Sequence, residues 1–329
     1  MIEDKVIKRI AVFTSGGDAP GMNAAIRAVV RTATYHNLEV YGIGHGYEGM
    51  IKGEIKKMDT ADVGNIIHRG GTVLKTARSK EFMTPEGRAK AYEHLVKFEI
   101  DAMVAIGGNG TFTGADIFSK EYKIPIIGVP GTIDNDLFGT DLTIGFDTAI
   151  NTAMEAADKI RDTADSHNRL FFVEVMGRHS GFIALHSAIG SGASGVLIPE
   201  IDNGTEEMMD ILDKGAKRGK RFGLIIIAEG NKEGGAEVVS KRIQAEYGQY
   251  DTKVTIIGHM QRGGSPTCID RVLASRLGYE AVEALVAGKS NFMVGIYNNQ
   301  LSFTTFHDAI TKHKNINAEL MRMAHILAM

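Results

Sequence analysis

"VAIGGNGT", residues 104–111, decides the fold. An apolar run ends in two glycines, and Asn109, Gly110 and Thr111 follow just ahead of a helix-forming segment. A glycine-rich turn where a strand gives way to a helix lets the backbone approach a ligand, and the helix N-terminus favours an anion there. The polar side chain placed to reach a metal–nucleotide is Asn109, a neutral amide where a carboxylate is the obvious choice.

The same grammar extends in both directions. "RIAVFT", "VYGIG", "DAMVAIGG", "IPIIGV", "RLFFVEVMG", "SGVLIPE", "FGLIIIAEG", "KVTIIGHM" and "FMVGIYNN" read as strands. They are continuous apolar runs, which predicts sheets covered on both faces. Helical patterns fall at 21–35, 60–68, 85–98, 113–121, 148–164, 180–189, 205–218, 236–247 and 266–287. Strand–helix alternation with short connections predicts parallel, doubly wound α/β sheets. The Gly- and Asp-rich "DNDLFGTDLTIGFDT" interrupts the alternation, so a domain division is expected near 140–150.

Composition narrows the classes. A chain of 329 residues has room for two domains. Its net charge of −3 carries no nucleic-acid signature. The single cysteine, Cys268, excludes an intrachain disulfide framework and suits a reducing compartment. Neither a signal-peptide pattern nor an apolar run long enough to span a bilayer is present, so a cytoplasmic protein without membrane partners is expected.

In open α/β sheets ligands bind beyond the carboxyl ends of strands. "TSGGDAPGMN" (14–23) follows the first strand, with Gly16 and Gly17 in the turn and Pro20 and Gly21 at the mouth of the next helix. "PGTIDND" (130–136) alternates Thr132, Asp134 and Asp136; an extended backbone would place all three on one side. Two carboxylates there can divide labour between a proton and a metal. "VMGRHSG" (175–181) ends a strand in Arg178, whose planar fork suits phosphate. "KVTIIGHMQRGGSPTCIDR" (253–271) is expected to gather Lys253, His259 and Arg262 in one neighbourhood. Together these favour phosphoryl transfer, which depends on positioning and charge neutralisation. Walker A, kinase HRD and Rossmann GxGxxG signatures are missing.

These motifs resemble the ATP-dependent 6-phosphofructokinases of bacterial type. "TSGGDAPGMN", "RGGT…TAR", "PGTIDND", "VMGRHSG" and "GHMQRGGSP…DR" occur in that family's order, over nearly the whole chain. The resemblance implies two doubly wound, mostly parallel α/β domains with the active site in the cleft between them. It divides the chain into 1–145 plus 261–311 for nucleotide and 146–260 plus 312–329 for fructose 6-phosphate. It implies a homotetramer that phosphorylates the sugar 1-hydroxyl with ATP and Mg2+ in glycolysis, giving fructose 1,6-bisphosphate and ADP. The alternatives are a pyrophosphate-dependent enzyme and a non-catalytic sugar-phosphate-binding subunit. Kinases of NAD or diacylglycerol share a similar glycine loop, but "PGTIDND" and "GHMQRGGSP" argue against them.

By the same resemblance Asp134 is the general base, Thr132 stands beside it, and Arg178 stabilises the transferring phosphoryl. Gly16, Tyr47, Arg78, Ser79, Asn109, Gly110, Thr111 and Phe112 align with nucleotide contacts. Ile133, Arg169, Met176, Gly177, Glu229, Lys253, His259, Met260, Gln261 and Arg262 align with the sugar-phosphate pocket, with Arg169 and Lys253 reaching in from a neighbouring subunit. Asn109 and Asp136 form the magnesium network. Arg27, Arg31, Arg161, Arg218, Lys220 and Arg221 match an effector pocket for ADP or phosphoenolpyruvate.

The departures are specific. Asn109 replaces an aspartate, Ser79 an aromatic residue, and Lys253 an arginine, exchanging a bidentate fork for a point charge. Glu54 stands where a basic residue is usual and Ser194 where an acidic one is usual, which implies altered allostery. Pyrophosphate-dependent relatives carry bulkier residues at the positions of Gly110 and Gly131, so ATP is the expected donor.

Overall fold

The apolar runs become the strands of two sheets, and the glycine motifs become the loops at their ends. The computed structural model describes residues 7–167, 169–202, 204–217, 223–246 and 251–328. The chain divides into two compact units: residues 1–132, 137–145 and 262–314 form the first, and 133–136, 146–261 and 315–329 the second.

The first unit opens with β1 (Arg9–Thr14), α1 (Met22–Tyr35), β2 (Glu39–Ile43), α2 (Gly46–Lys52) and β3 (Ile55–Met58). It continues through α3 (Pro85–Lys97), β4 (Ala102–Gly107), α4 (Asn109–Tyr122) and β5 (Ile126–Pro130). The second unit follows as α5 (Phe146–His167), β6 (Leu170–Val175), α6 (Phe182–Ser191) and β7 (Gly195–Leu197), then α7 (Gly204–Lys217), β8 (Gly223–Ala228), α8 (Ala236–Glu246) and β9 (Thr252–Ile256). The chain returns to the first unit for α9 (Cys268–Val286), β10 (Phe292–Tyr297), β11 (Gln300–Thr305) and α10 (Phe306–Thr311), and ends in the second with α11 (Ala318–Leu327).

The larger sheet has the order β11-β10-β5-β4-β1-β2-β3 and is parallel except at its edges, where β2–β3 and β10–β11 are antiparallel. Its order reverses between β1 and β4, which makes their carboxyl ends a topological switch point, the place where such sheets bind ligands. The smaller sheet, β7-β8-β6-β9, is wholly parallel. Central strands β1, β4 and β5 are buried on both faces, as continuous apolar runs require. Strand β9 is more open, with Ile256 53% exposed at the sheet edge.

Two expectations need correction. Residues 60–68 form successive turns, with no helix. Asp59 accepts from the amides of Ala61 and Asp62, Asp62 accepts from that of Asp59, and Asn65 is left-handed at φ 53°. Such local side-chain bonds compete with helical ones. Residues 132–136 are not an extended strand either: Ile133 and Asp134 form a turn and Asn135 has φ 52°. Period-two alternation therefore does not order Thr132, Asp134 and Asp136. Among the described residues no helix is long and apolar enough to cross a membrane.

Helices α1 and α9 pack closely enough that a Cβ on Gly278 would lie 2.7 Å from the Ala25 carbonyl oxygen and 2.9 Å from the Ala28 Cβ. Gly278→Ala is accordingly expected to destabilise the protein, since overpacking typically costs about 1–3 kcal/mol and alanine's helical advantage returns at most about 1. A lowered denaturant midpoint is the expected reading; a raised one would mean that the helices can separate without loss.

Candidate active site

Four glycine motifs converge in the first unit. The loops after β1 and β4 lie side by side: the Ser15 amide donates to the Ile106 carbonyl at 3.0 Å, and the Thr111 hydroxyl donates to the Ser15 carbonyl at 3.1 Å. A Cβ on Gly107 would stand 2.2 Å from Thr111 Oγ1 and 2.6 Å from the Ser15 oxygen, so this contact needs glycine there. "RGGT" joins through Asn23 on α1, which donates to the Arg69 and Gly70 carbonyls and accepts from the Val73 amide. Thr14 Oγ1 stands 2.9 Å from Thr72 Oγ1 and donates to the Lys75 carbonyl. "QRGGS" closes over it: the Ser265 hydroxyl donates to the His68 carbonyl, and a Cβ on Gly70 would lie 2.3 Å from the Gly264 oxygen.

Helix α4 begins at Asn109, so its first N–H groups open beside this loop cluster and supply partial positive charge. A Cβ on Gly110 would meet nothing within 4 Å, so the position faces open space. Gly131 is different: a Cβ there would lie 3.0 Å from Ile106 Cγ2 and 3.1 Å from Met22 Cε, so its glycine serves packing. Gly16 is exposed with φ 85°. Arg78 is exposed and Thr111 buried.

Three nucleotide-aligned residues face inward. Phe112 is fully buried, its ring stacked on Phe306, and its amide donates to the Gly108 carbonyl. Tyr47 is buried, stacks on Phe82 with centroids 4.0 Å apart and donates to the Thr111 carbonyl at 2.6 Å. Burial pushes its hydroxyl well above the ordinary tyrosine range. Ser79 accepts from the Phe82 amide and donates to Glu48, holding that carboxyl low together with Lys52. Tyr47 and Phe112 support the start of α4 from within the core.

In the second unit one short loop carries the charged residues. After β6, Gly177 has φ 146° and Arg178 φ 56°. Glu229, just past β8, accepts from the amides of both, at 3.3 and 2.8 Å. The Met176 amide donates to Gln261 Oε1 at 2.8 Å, while Gln261 Nε2 donates to the Ala149 carbonyl at 3.2 Å. Gln261 is fully buried, so it fixes the loop and offers nothing to a substrate. The Ser180 hydroxyl lies 2.8 Å from the Asp134 carbonyl oxygen and 3.0 Å from that of Gly177. Asp134 and Arg178 are thereby seated on one assembly. Asp134, Ile133 and Met176 are buried; the Arg178 side chain is exposed and Asp136 half-buried.

Of the residues expected together, His259 and Arg262 share the short 3-10 turn Gly258–Arg262, and Lys253 lies on the strand before it. Lys253 lies in the first half of β9, opposite Phe171, whereas His259 and the exposed Met260 follow its far end. Lys253 neighbours Arg169, which precedes β6; Asp251 accepts from both, at 2.8 and 2.7 Å. Arg262 belongs to the first unit, where its guanidinium lies against Gly17 and donates to the Asp18 carbonyl at 3.1 Å.

The effector set is only partly described. Arg27 and Arg31 lie on α1, and Arg161 on α5 donates to the Ser191 and Gly192 carbonyls at the end of α6. Arg218, Lys220 and Arg221 lie outside the described residues. Glu54 is 2.6 Å from His45 Nδ1, and Ser194 is buried.

No group of three or more His, Cys, Asp or Glu is gathered for a metal among the described residues. Asn109, the first residue of α4, carries a neutral amide oxygen donor and the half-buried Asp136 a charged carboxylate; oxygen donors of either kind suit a hard cation that keeps several waters, as magnesium does.

A glycine-lined switch point beside a helix N-terminus, with a seated carboxylate and arginine in the second unit, defines an α/β protein suited to phosphorylated ligands. The sequence pattern of the Phosphofructokinase family matches residues 9–285, and the chain belongs to that family. It is 55% identical to the ATP-dependent 6-phosphofructokinase of Cytophaga hutchinsonii, covering 98% of both chains. The solved phosphofructokinase of Saccharomyces cerevisiae matches at TM-score 0.88 and 38% identity; 98% of this chain is covered, spanning 48% of the yeast chain. The pyrophosphate-dependent phosphofructokinase of Marinobacter aquaeolei matches at TM-score 0.83 and 25% identity over 95% of this chain and 86% of that one.

Gly17 offers a clean test of the arginine placement. A Cβ there would stand 2.5 Å from Arg262 Nη1, the movable end of a side chain. Gly17→Ala is expected to keep the melting temperature and lower turnover about 10- to 100-fold, as the guanidinium is displaced from the loop. Wild-type turnover in the variant would show that this placement is immaterial.

Proposed function

We propose that this chain is an ATP-dependent 6-phosphofructokinase, moving the γ-phosphoryl of ATP to the 1-hydroxyl of fructose 6-phosphate in glycolysis. The observation that carries the reading is the common seat of Asp134 and Arg178, made by Ser180 and Glu229. The first unit binds nucleotide through the loops at Gly16 and Gly107–Thr111 and the α4 N-terminus. The second binds the sugar phosphate. Apart from residues 133–136, 261 and 312–314, which the compact units assign the other way, the domain division at 1–145 plus 261–311 and 146–260 plus 312–329 follows that division of labour.

Asp134 takes the proton of the 1-hydroxyl, with Thr132 beside it. Arg178 stabilises charge on the transferring group; arginines in this role contribute about 10³–10⁵ in rate. Asn109 and Asp136 would hold magnesium, which neutralises phosphate charge when bound. Open space at Gly110 favours a nucleotide over pyrophosphate as donor.

The parallel pairing of β6 and β9 bears on assembly. Arg169 and Lys253 lie at the start of these strands, and Arg178 and His259 lie beyond their ends. A strand of six residues spans roughly 17–20 Å, too far for a single sugar phosphate to touch both sets. A neighbouring subunit supplies Arg169 and Lys253, in a homotetramer that works in the cytoplasm. The effector site for ADP or phosphoenolpyruvate, at Arg27, Arg31 and Arg161 with Arg218, Lys220 and Arg221, is altered by Glu54, whose carboxylate repels a phosphate, and by Ser194, which removes the usual acid.

Initial rates with fructose 6-phosphate and magnesium, with ATP or pyrophosphate supplied in parallel, test the reaction. Turnover with ATP alone is expected. Turnover with pyrophosphate would overturn the donor assignment, and none with either would leave a binding subunit. Asp134→Ala should lower turnover about 10²–10⁴-fold with little change in nucleotide binding. Replacing the amide by Asn109→Asp should lower the magnesium concentration at half-maximal rate; an unchanged requirement would mean that Asp136 and the phosphates suffice.

A further inference from the structure

Asp251 immediately precedes β9 and has one carboxylate oxygen for each of two cations. Its Oδ2 accepts from Arg169 Nε at 2.7 Å and its Oδ1 from Lys253 Nζ at 2.8 Å. Its backbone carbonyl also accepts from the Leu170 amide at 3.1 Å, so the carboxylate stands at a fixed place against the start of β6. The bond to Arg169 engages Nε alone, leaving both Nη groups for a ligand, and Lys253 commits one of three ammonium protons. We propose that Asp251 is a positioning residue, holding Arg169 and Lys253 as a ready-spaced pair of cations for a phosphate dianion. The inference rests on the assignment of those two cations to the 6-phosphate of fructose 6-phosphate.

Two opposed effects decide the sign. The carboxylate subtracts one negative charge's worth of attraction from the site. It also orders two long side chains that otherwise repel each other, each carrying about 2 kcal/mol of rotamer entropy. All three side chains are between 32% and 50% exposed, where solvent and salt weaken the charge effect. Ordering therefore dominates, and the carboxylate promotes phosphate binding. Lys253 needs this help most, because its ammonium has no built-in fork to align with a phosphate.

The test measures fructose 6-phosphate binding by calorimetry beside steady-state kinetics on the full chain. Asp251→Asn is expected to raise both Kd and KM for fructose 6-phosphate about three- to tenfold, the scale of two exposed pairs. Turnover and the KM for ATP should stay within about twofold. Asp251→Glu should restore most of the affinity. In an Arg169→Ala, Lys253→Ala background Asp251→Asn should add nothing, because the carboxylate acts through those cations.

Unchanged or tighter sugar-phosphate binding in Asp251→Asn would overturn the inference. So would a joint fall in turnover, ATP affinity and melting temperature, which marks a general structural role. If Arg169→Ala and Lys253→Ala leave fructose 6-phosphate binding untouched, the assignment of the two cations fails and takes Asp251 with it. If those variants bind weakly and Asp251→Asn does not, only the positioning role fails.

Discussion

Residue 107 has no room for a side chain, and the glycine loops of the first unit are organised around that fact. β1 and β4 lie adjacent, and the Thr111 hydroxyl reaches from the first turn of α4 to the Ser15 carbonyl of the neighbouring loop. Any Cβ at 107 would occupy that place. The bond holds the start of α4 against the β1 loop, which puts helix N–H groups and glycine backbone on the same opening. The Asn23 bonds and the Gly70–Gly264 approach then add two more segments that are distant in sequence. Backbone meets backbone at the closest of these approaches, which explains the glycines at 70 and 107: each removes a side chain that would keep two loops apart.

The second unit solves a different problem. Arg178 sits in a left-handed conformation that a residue with a Cβ adopts at a cost. The loop is held by acceptors from two other segments: Glu229 takes two amides and Gln261 takes a third. Hydrogen bonds to a carboxylate are worth about 1.5–3 kcal/mol, enough to offset the strain. Gln261 suits its buried position because a neutral amide both accepts and donates there, with no charge to desolvate. Residues in these motifs thus divide into those that touch ligands and those that aim their neighbours.

That division sets what was legible from sequence. Parallel α/β sheets, nearly all of the strands and the motif loops followed from apolar runs ending in glycine. The antiparallel edges β3 and β11 did not, because "IKKM" and "QLSFTT" are half-solvated and lack the apolar run of a buried strand. Helices α2 and α10 span only seven and six residues, too short for a periodic signal. Within the site, motif membership named the loops but not the direction of each side chain. Gln261 points inward and Arg262, next to it, lies on Gly17; no one-dimensional pattern distinguishes the two.

Asn109 is the remaining departure, and its position in α4 gives it a physical reading. It is the first residue of the helix, whose first turn contains no acidic side chain. An aspartate there would interact favourably with the positive end of the helix, by about 0.3–1 kcal/mol, and would partly cancel the field beyond it. A neutral amide leaves that field for a phosphate. With the nucleotide's phosphates placed at this helix end as proposed, the exchange would have two opposite consequences: less charge for a magnesium ion, and more uncompensated N–H potential for those phosphates. Because magnesium arrives bound to those same phosphates, the second effect offsets part of the first. On this argument an amide at position 109 is compatible with phosphoryl transfer.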